Sequence, residues 1–306
     1  MSAYKPTVAI LGINGTIGVH ALNAFLSPTF SSLFTLPIRI VTRDPSKIKA
    51  NVPAITDDNV KFYSANIATG EGLAAVFEGV DVIVNLLGTE VPHTAVIEAA
   101  AAAKPKVYIP SEFGTDIPAS GPYANLFKVK TDAIELARSK GLKTVSIITS
   151  AFSEWLFLVP ALSGINFPES GQFQYYGDDS VEIGTTSLVD IGKVIASVAS
   201  KDPATLPDYI RVAGDVVSPR KVSNAYTAVT GQKLTDVALP LEEIVVPARK
   251  IAKEGPKSGN DFLVGLRGVL YDHYLVSSHE HNEFVSKGLF KFTPFTEVAK
   301  RVLGKN

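Results

Sequence analysis

An α/β fold is predicted here, a doubly wound parallel sheet carrying a smaller C-terminal substrate-binding lobe, and three observations predict it. A short apolar, β-branched run, Thr7-Val8-Ala9-Ile10-Leu11, breaks into Gly12, Gly15 and Gly18, spaced three apart, ahead of a helical pattern. Strand-like and helix-like runs then alternate as far as Ile148, the arrangement that gives parallel strands with helical crossovers. The run from Asp81 to Leu87 is almost wholly apolar, as a strand buried on both faces must be. Together they describe a Rossmann-like sheet.

The glycine turn is the most informative element. A pyrophosphate needs backbone N–H groups aimed at it, and a helix N-terminus offers unpaired ones with a favourable dipole. Gly12 makes the tight turn out of the strand, Gly15 lets a diphosphate lie against bare backbone, and Gly18 lets the helix pack closely on the sheet. Asn14, Thr16 and Ile17 complete this candidate dinucleotide site. The spacing G-x-x-G-x-x-G differs from the commoner G-x-G-x-x-G, and three glycines alone also fit an ordinary strand-to-helix loop.

The second strand, Ile38 to Thr42, ends at Arg43, where an enzyme selecting NAD usually places an acidic residue on the ribose hydroxyls. A guanidinium suits a 2′-phosphate, and Lys47, one helical turn on, adds a second positive charge, so the expected cofactor is NADP(H). Asp44 lies between them and can turn toward a ribose hydroxyl instead; a solvent-facing loop arginine is the bland alternative.

Further strands are expected at Val60–Ala65, Asp81–Leu87, Lys106–Ile109 and Val145–Ile148, with helices at Gly18–Phe25, Gly72–Phe77, Pro92–Ala103 and Asn125–Lys140. The ligand crevice of such a sheet lies at the carboxyl ends of its strands. Those ends carry Gly12, Arg43, Leu87-Gly88-Thr89, Pro110-Ser111-Glu112-Phe113-Gly114 and Thr149-Ser150-Ala151-Phe152. Leu87, Gly88, Ser111 and Phe113 therefore join the cofactor-binding candidates. A turn after a buried strand is the competing reading of Ser111 to Phe113, with Glu112 as a local cap or pair.

With the GINGTIG run, the P-S-E-F-G run at Pro110–Gly114 and Phe127-Lys128-Val129-Lys130, the chain resembles the atypical short-chain dehydrogenases/reductases of the NmrA-like and isoflavone-reductase-like group. Tyr176-Gly177-Asp178-Asp179 and Asp190-Ile191-Gly192 also look like that group's pattern. The likeness is good over the first two thirds and loose beyond. It implies an NADPH-dependent reductase of phenolic, phenylpropanoid- or isoflavonoid-like substrates, with Lys130 as both catalytic and cofactor-binding residue. Some NmrA-like proteins are instead non-catalytic NAD(P) sensors acting through a protein partner, and that alternative stays open.

On chemistry alone, a lysine beside the crevice can orient ribose or nicotinamide and exchange a proton once desolvation lowers its pKa. A solvated helix face is the ordinary fate of Lys128, Lys130 and Lys140. Common short-chain dehydrogenases carry Tyr-x-x-x-Lys, but the residue four before Lys130 is Leu126. Tyr123, seven before it, shares its face only if the helix runs through Gly121-Pro122.

The remaining features mostly exclude. A chain of 306 residues with net charge −1 offers no broad basis for binding nucleic acid or an anionic membrane. With no cysteine it has no disulfide, thiolate nucleophile or cysteine-ligated metal. Ser111 lacks both a G-x-S-x-G elbow and a nearby histidine, against a hydrolase. His279-Glu280-His281 alternates faces if extended, so no metal is expected there or with His273. Thr7 enters the first strand without a basic-then-apolar leader and Ala99–Ala103 is too short to span a bilayer, so a cytoplasmic protein, monomer or homodimer, is expected.

Residues 1–151 are expected to form the NAD(P)-binding domain, with segments in 180–215 returning to it, and 152–306 mainly the substrate lobe. Phe152 and Trp155 are the candidate substrate contacts, although a core is the favoured reading of Trp155, Phe157 and Phe167, as of most large apolar side chains. The Gly- and Pro-containing stretch Ala252–Gly259 reads as an exposed loop able to close over a ligand.

Overall fold

The computed structural model describes residues 4–159, 171–275 and 278–304; Phe167 lies outside them. Its first half runs β1 (Thr7–Leu11), α1 (Gly18–Leu26), β2 (Thr35–Val41), α2 (Pro45–Asn51), β3 (Val60–Tyr63), α3 (Leu73–Phe77), β4 (Val82–Asn85), α4 (Thr94–Ala103), β5 (Val107–Ile109), α5 (Lys128–Ser139) and β6 (Ser146–Ile148). β1 to β5 form one parallel sheet in the order β3-β2-β1-β4-β5. Tyr108 N donates to Lys143 O at 2.9 Å and Val145 N to Tyr108 O at 3.0 Å, so the chain entering β6 continues the sheet beyond β5. The doubly wound α/β class is confirmed, with its switch point where β1 sits between β2 and β4.

Alternation explains both faces of this sheet. Val8, Ile10, Val82, Val84, Val107 and Ile109 enter one buried cluster, while Ala9, Leu11, Ile83 and Tyr108 enter another on the opposite side. Every residue of β4 is buried, as its apolar run requires. Helix α4 starts at Thr94 rather than at Pro92, because the His93 ring is held back against Gly88 O at 3.0 Å and Asn85 Nδ2 at 3.2 Å. The helix expected from Asn125 is a 3₁₀ turn over Gly121–Phe127 before α5 begins.

The second half contains β7 (Ala151–Phe152), α6 (Trp155–Leu158), β8 (Gln172–Tyr176), β9 (Ile183–Thr186), α7 (Leu188–Ser200), β10 (Tyr209–Arg211), β11 (Asp215–Val217), α8 (Pro219–Thr230), β12 (Thr235–Leu239), α9 (Glu242–Glu254), α10 (Gly259–Tyr271), α11 (Asn282–Ser286) and α12 (Phe295–Leu303). α7 packs on α1, its Ile191, Val194, Ile195 and Val198 sharing a core with Ala21, Leu22 and Phe25. β10 pairs in parallel with β6. β9 does not join the five-stranded sheet and pairs instead with β7 and β11. A separate core, including Tyr123, Phe157, Phe173, Tyr226, Tyr271 and Phe295, holds the lobe together.

The two regions are fastened by a buried carboxylate. Glu154 accepts from Leu188 N at 3.1 and 3.0 Å through its two oxygens and pairs with Arg301, tying the starts of α6 and α7 to α12. Only the carboxylate of this pair is buried, so losing its partners would leave it a desolvated charge.

Close packing of α1 on α7 rests on Gly192, where an added Cβ would lie 2.9 Å from Ala21 N. Gly192→Ala is expected to cost about 1–3 kcal/mol in urea unfolding. Gly259→Ala, at a helix start where an added Cβ meets nothing within 4 Å, is expected to change stability by no more than about 0.5–1 kcal/mol, in the stabilising direction.

Candidate functional site

The carboxyl ends of the strands converge, and hydrogen bonds between turns hold them in place. Gly12 has φ +78, and an added Cβ there would stand 2.6 Å from Leu87 N, so the turn after β1 lies directly on the end of β4. Gly15 N donates back to Gly12 O at 3.0 Å and Gly18 N to Gly15 O at 3.1 Å, leaving Asn14, Gly15 and Thr16 exposed at the rim. Gly18 is needed for a different contact from the expected one. Its Cβ would stand 2.6 Å from Ile13 Cα, within the turn itself, whereas close packing around α1 depends on Gly192.

Asn85, the last residue of β4, organises the next turn. Its Oδ1 accepts from Leu87 N at 3.0 Å, and its amide donates to the Tyr108 hydroxyl at 2.8 Å and to His93 Nδ1 at 3.2 Å. His93 then carries its proton on Nε2 and donates to Gly88 O at 3.0 Å. Burial pushes the Tyr108 hydroxyl up to about 12, so it stays protonated and serves this network as a neutral group. Asn85 is the one polar residue in the run from Val82 to Leu87, but its partners Tyr108 and His93 lie outside that run.

The turn after β2 answers the question Asp44 raised. Asp44 accepts from Lys47 N at 3.1 Å as the cap of α2, and Thr42 Oγ1 accepts from both Asp44 N at 3.1 Å and Asn14 Nδ2 at 3.4 Å. Arg43 and Lys47 are exposed beside the glycine turn and make no ion pair among the described residues. Two free cations thus flank a carboxylate engaged by its own helix.

Lys130 sits in the first turn of α5, opposite the turn after β5. Its Nζ donates to Phe113 O at 3.5 Å, while the Phe113 ring itself is buried in the nucleotide-side core. Burial around the ammonium holds Lys130 below the ordinary lysine pKa, with the Glu112 carboxyl acting the other way. Glu112 is 3% exposed, and burial raises its pKa, opposed by Ser146 and by the charge of Lys130. It is no local cap, contrary to the reading from sequence. Lys130 and Ser111 share with it a small internal space that Tyr108, His93 and Thr89 also line.

On its other side Lys130 borders an open cleft of about 320 Å³, lined also by Thr89, Leu126, Phe127, Phe262, Pro256, Lys257 and Ser258. The loop between α9 and α10 forms one wall, anchored where Asn125 Nδ2 donates to Ala252 O at 2.9 Å, and Phe127 meets Phe262 edge-on with centroids 6.1 Å apart. Among the described residues no carboxylate lines this cleft.

Phe152 and Trp155 lie elsewhere. They pack edge-to-face at 4.7 Å, and neither lines the cleft at Lys130, whose aromatic walls come from Phe127 and Phe262 instead. Tyr123 also turns away: its hydroxyl donates to Asp272 Oδ2 at 2.8 Å, a carboxylate that Arg249 holds as well. His279 and His281 bond the backbone of Ala213 and Arg211, and no cluster of metal-ligating side chains occurs among the described residues. No helix among them is long and apolar enough to cross a membrane.

Comparison with known proteins adds to this geometry. Bifunctional pinoresinol-lariciresinol reductase 2 of Thuja plicata is 26% identical, aligned over 93% of this chain and 89% of its own. The fold is shared with the leucoanthocyanidin reductase–NADPH complex of Vitis vinifera, at TM-score 0.75 and 19% identity over 98% of this chain and 100% of that one. An isoflavone reductase crystal structure superposes with TM-score 0.76 at 18% identity, over 97% and 99% of the two chains. The family model of the NmrA-like family matches residues 4–254, and the chain belongs to that family.

Proposed function

We propose that the protein is an NADPH-dependent reductase of phenolic, phenylpropanoid- or isoflavonoid-like aromatic small molecules, in which Lys130 handles the proton. One observation carries the reading: the Lys130 ammonium lies between the convergent strand ends and an aromatic-walled cleft. The names of its relatives, reductases of lignan and flavonoid type, support the same substrate class.

The residues present fit the cofactor. The backbone at Gly12 and Gly15 provides the bare surface a pyrophosphate needs at the start of α1, and Arg43 with Lys47 supplies the charge for a 2′-phosphate. Leu87 and Gly88, held by Asn85 and His93, would border the cofactor along its length, with Ser111 and the Phe113 carbonyl near its reactive end. When bound, the nicotinamide supplies a hydride to an electron-poor carbon of the substrate.

The chain's own contribution is placement and proton management. Phe127, Phe262 and Leu126 offer apolar contact to an aromatic ring, and the α9–α10 loop walls it on one side. Lys130, poorly solvated and below its ordinary pKa, gives a proton to a substrate oxygen more readily than an exposed lysine would.

Lys130→Ala is expected to lower kcat by about 10²–10⁴-fold while NADPH affinity, read by fluorescence titration, changes little. NADPH oxidation should be followed against a panel of lignans, isoflavonoids and quinones. No turnover of any of them, together with a co-purifying protein partner, would favour a sensor. Gly12→Ala forces a side chain at φ +78 against the Leu86–Leu87 backbone and is expected to weaken NADPH binding at least tenfold and to lower Tm as well. Arg43→Glu is expected to reverse the preference for NADPH over NADH, seen as opposite changes in the two KM values.

Because an ammonium donor is lost on deprotonation, turnover should fall as pH rises through the Lys130 pKa, which lies below the ordinary lysine value. Lys130→Arg should lose turnover about as Lys130→Ala does, since a guanidinium stays charged and does not give up a proton.

A further inference from the structure

Glu112 has a buried carboxyl for which neither the fold nor the proposed reaction yet accounts. It is 3% exposed, and its Oε2 has no hydrogen-bonding partner. It makes no ion pair within 4.0 Å among the described residues, yet it lines the same internal space as the Lys130 side chain. That space is about 10 Å³, close to what one water molecule needs, and the Ser111, Thr89, Tyr108 and His93 side chains border it too. A buried carboxyl with one oxygen unsatisfied is a cost the fold bears, which calls for a compensating role.

We propose that Glu112 is a positioning residue for Lys130: its carboxylate is the buried counter-charge that keeps the ammonium protonated between turnovers and aimed from the sheet toward the cleft. This rests on the reading of Lys130 given above. The physical basis is mutual: an isolated charge at either site is penalised by burial, and each charge is stabilised by the other. The effects described for the two groups have that pattern, each shifted toward neutrality by burial and drawn back by its partner.

Other charges facing the pair do not take over this role. Arg138 and Asp116 act on Glu112 with opposite signs, and Asp116 is itself paired with Arg211 at 2.6 Å. Tyr108 stays neutral, and the ring nitrogens of His93 are both engaged by Asn85 and Gly88. Glu112 is the only carboxylate acting on Lys130 among the described residues.

The test is titration of the Lys130 side chain by NMR in protein carrying labelled lysine, with Lys130→Arg to assign the signal, without substrate or cofactor. In wild type the Lys130 signal should show an inflection at the Glu112 midpoint as well as its own, as coupled groups do. In Glu112→Gln the first inflection should vanish and the lysine midpoint should fall by about one pH unit or more. The alkaline limb of kcat/KM should move toward acid by the same amount, with NADPH affinity unchanged. Glu112→Asp should restore part of the shift.

A Lys130 curve with a single step in wild type would overturn the proposal even if Glu112→Gln failed to fold. So would an unchanged midpoint in a folded Glu112→Gln. If the NMR coupling is present but Lys130→Ala turns over normally, the role of Lys130 in the reaction fails and the pairing stands.

Discussion

The close approach of the β1 turn to the end of β4 is the constraint on which the rest depends. Gly12 must adopt a left-handed backbone and must lack a side chain, because Leu86 and Leu87 occupy the space a Cβ would take. That contact lets the register of β1 with β4, Val8 opposite Val82 through Leu11 opposite Asn85, run to the strand ends without splaying. Asn85 is then delivered to the point where its amide can tie the Leu87 turn to Tyr108 on β5 and to His93 ahead of α4. Three successive turns are thus set relative to one another by one missing side chain and one buried amide.

The electrostatics follow the same economy. The chain is nearly neutral overall, so a charged ligand is met by local groups and not by a broad field. Arg43 and Lys47 remain free at the rim because Asp44 is committed to its helix, while Lys130 is held in a poorly solvated place where its proton is labile. Exposed cations suit a phosphate, which brings its own hydration and charge; a desolvated ammonium suits proton transfer. Burial alone thus separates these cations, exposed at Arg43 and Lys47 and poorly solvated at Lys130.

The candidate site was legible in part from local pattern. Strand β1, the glycine spacing, Arg43 with Lys47, and the P-S-E-F-G run all belong to short segments whose residue types state their geometry directly. Glu112, Asn85, Phe262 and the cleft wall at Pro256–Ser258 were not assigned to the site from sequence, although the loop itself was expected to cover a ligand. Their importance comes from partners far along the chain: Tyr108 for Asn85, Phe127 for Phe262, Lys130 for Glu112. Phe152 and Trp155, candidates for the substrate from sequence, pack on each other and do not line the cleft at Lys130.

By itself the sequence determined the doubly wound sheet, because period-two burial and glycine punctuation are properties of contiguous residues and need no distant partner to be read. It also determined which cations stand at the strand ends. Only the tertiary structure decided that β9 leaves the nucleotide sheet for β7 and β11, that Gly192 rather than Gly18 lets α1 pack closely, and that Glu112 faces Lys130. Those outcomes are set by which buried surfaces and charges meet across long chain separations, and burial of that kind is a property of the folded whole.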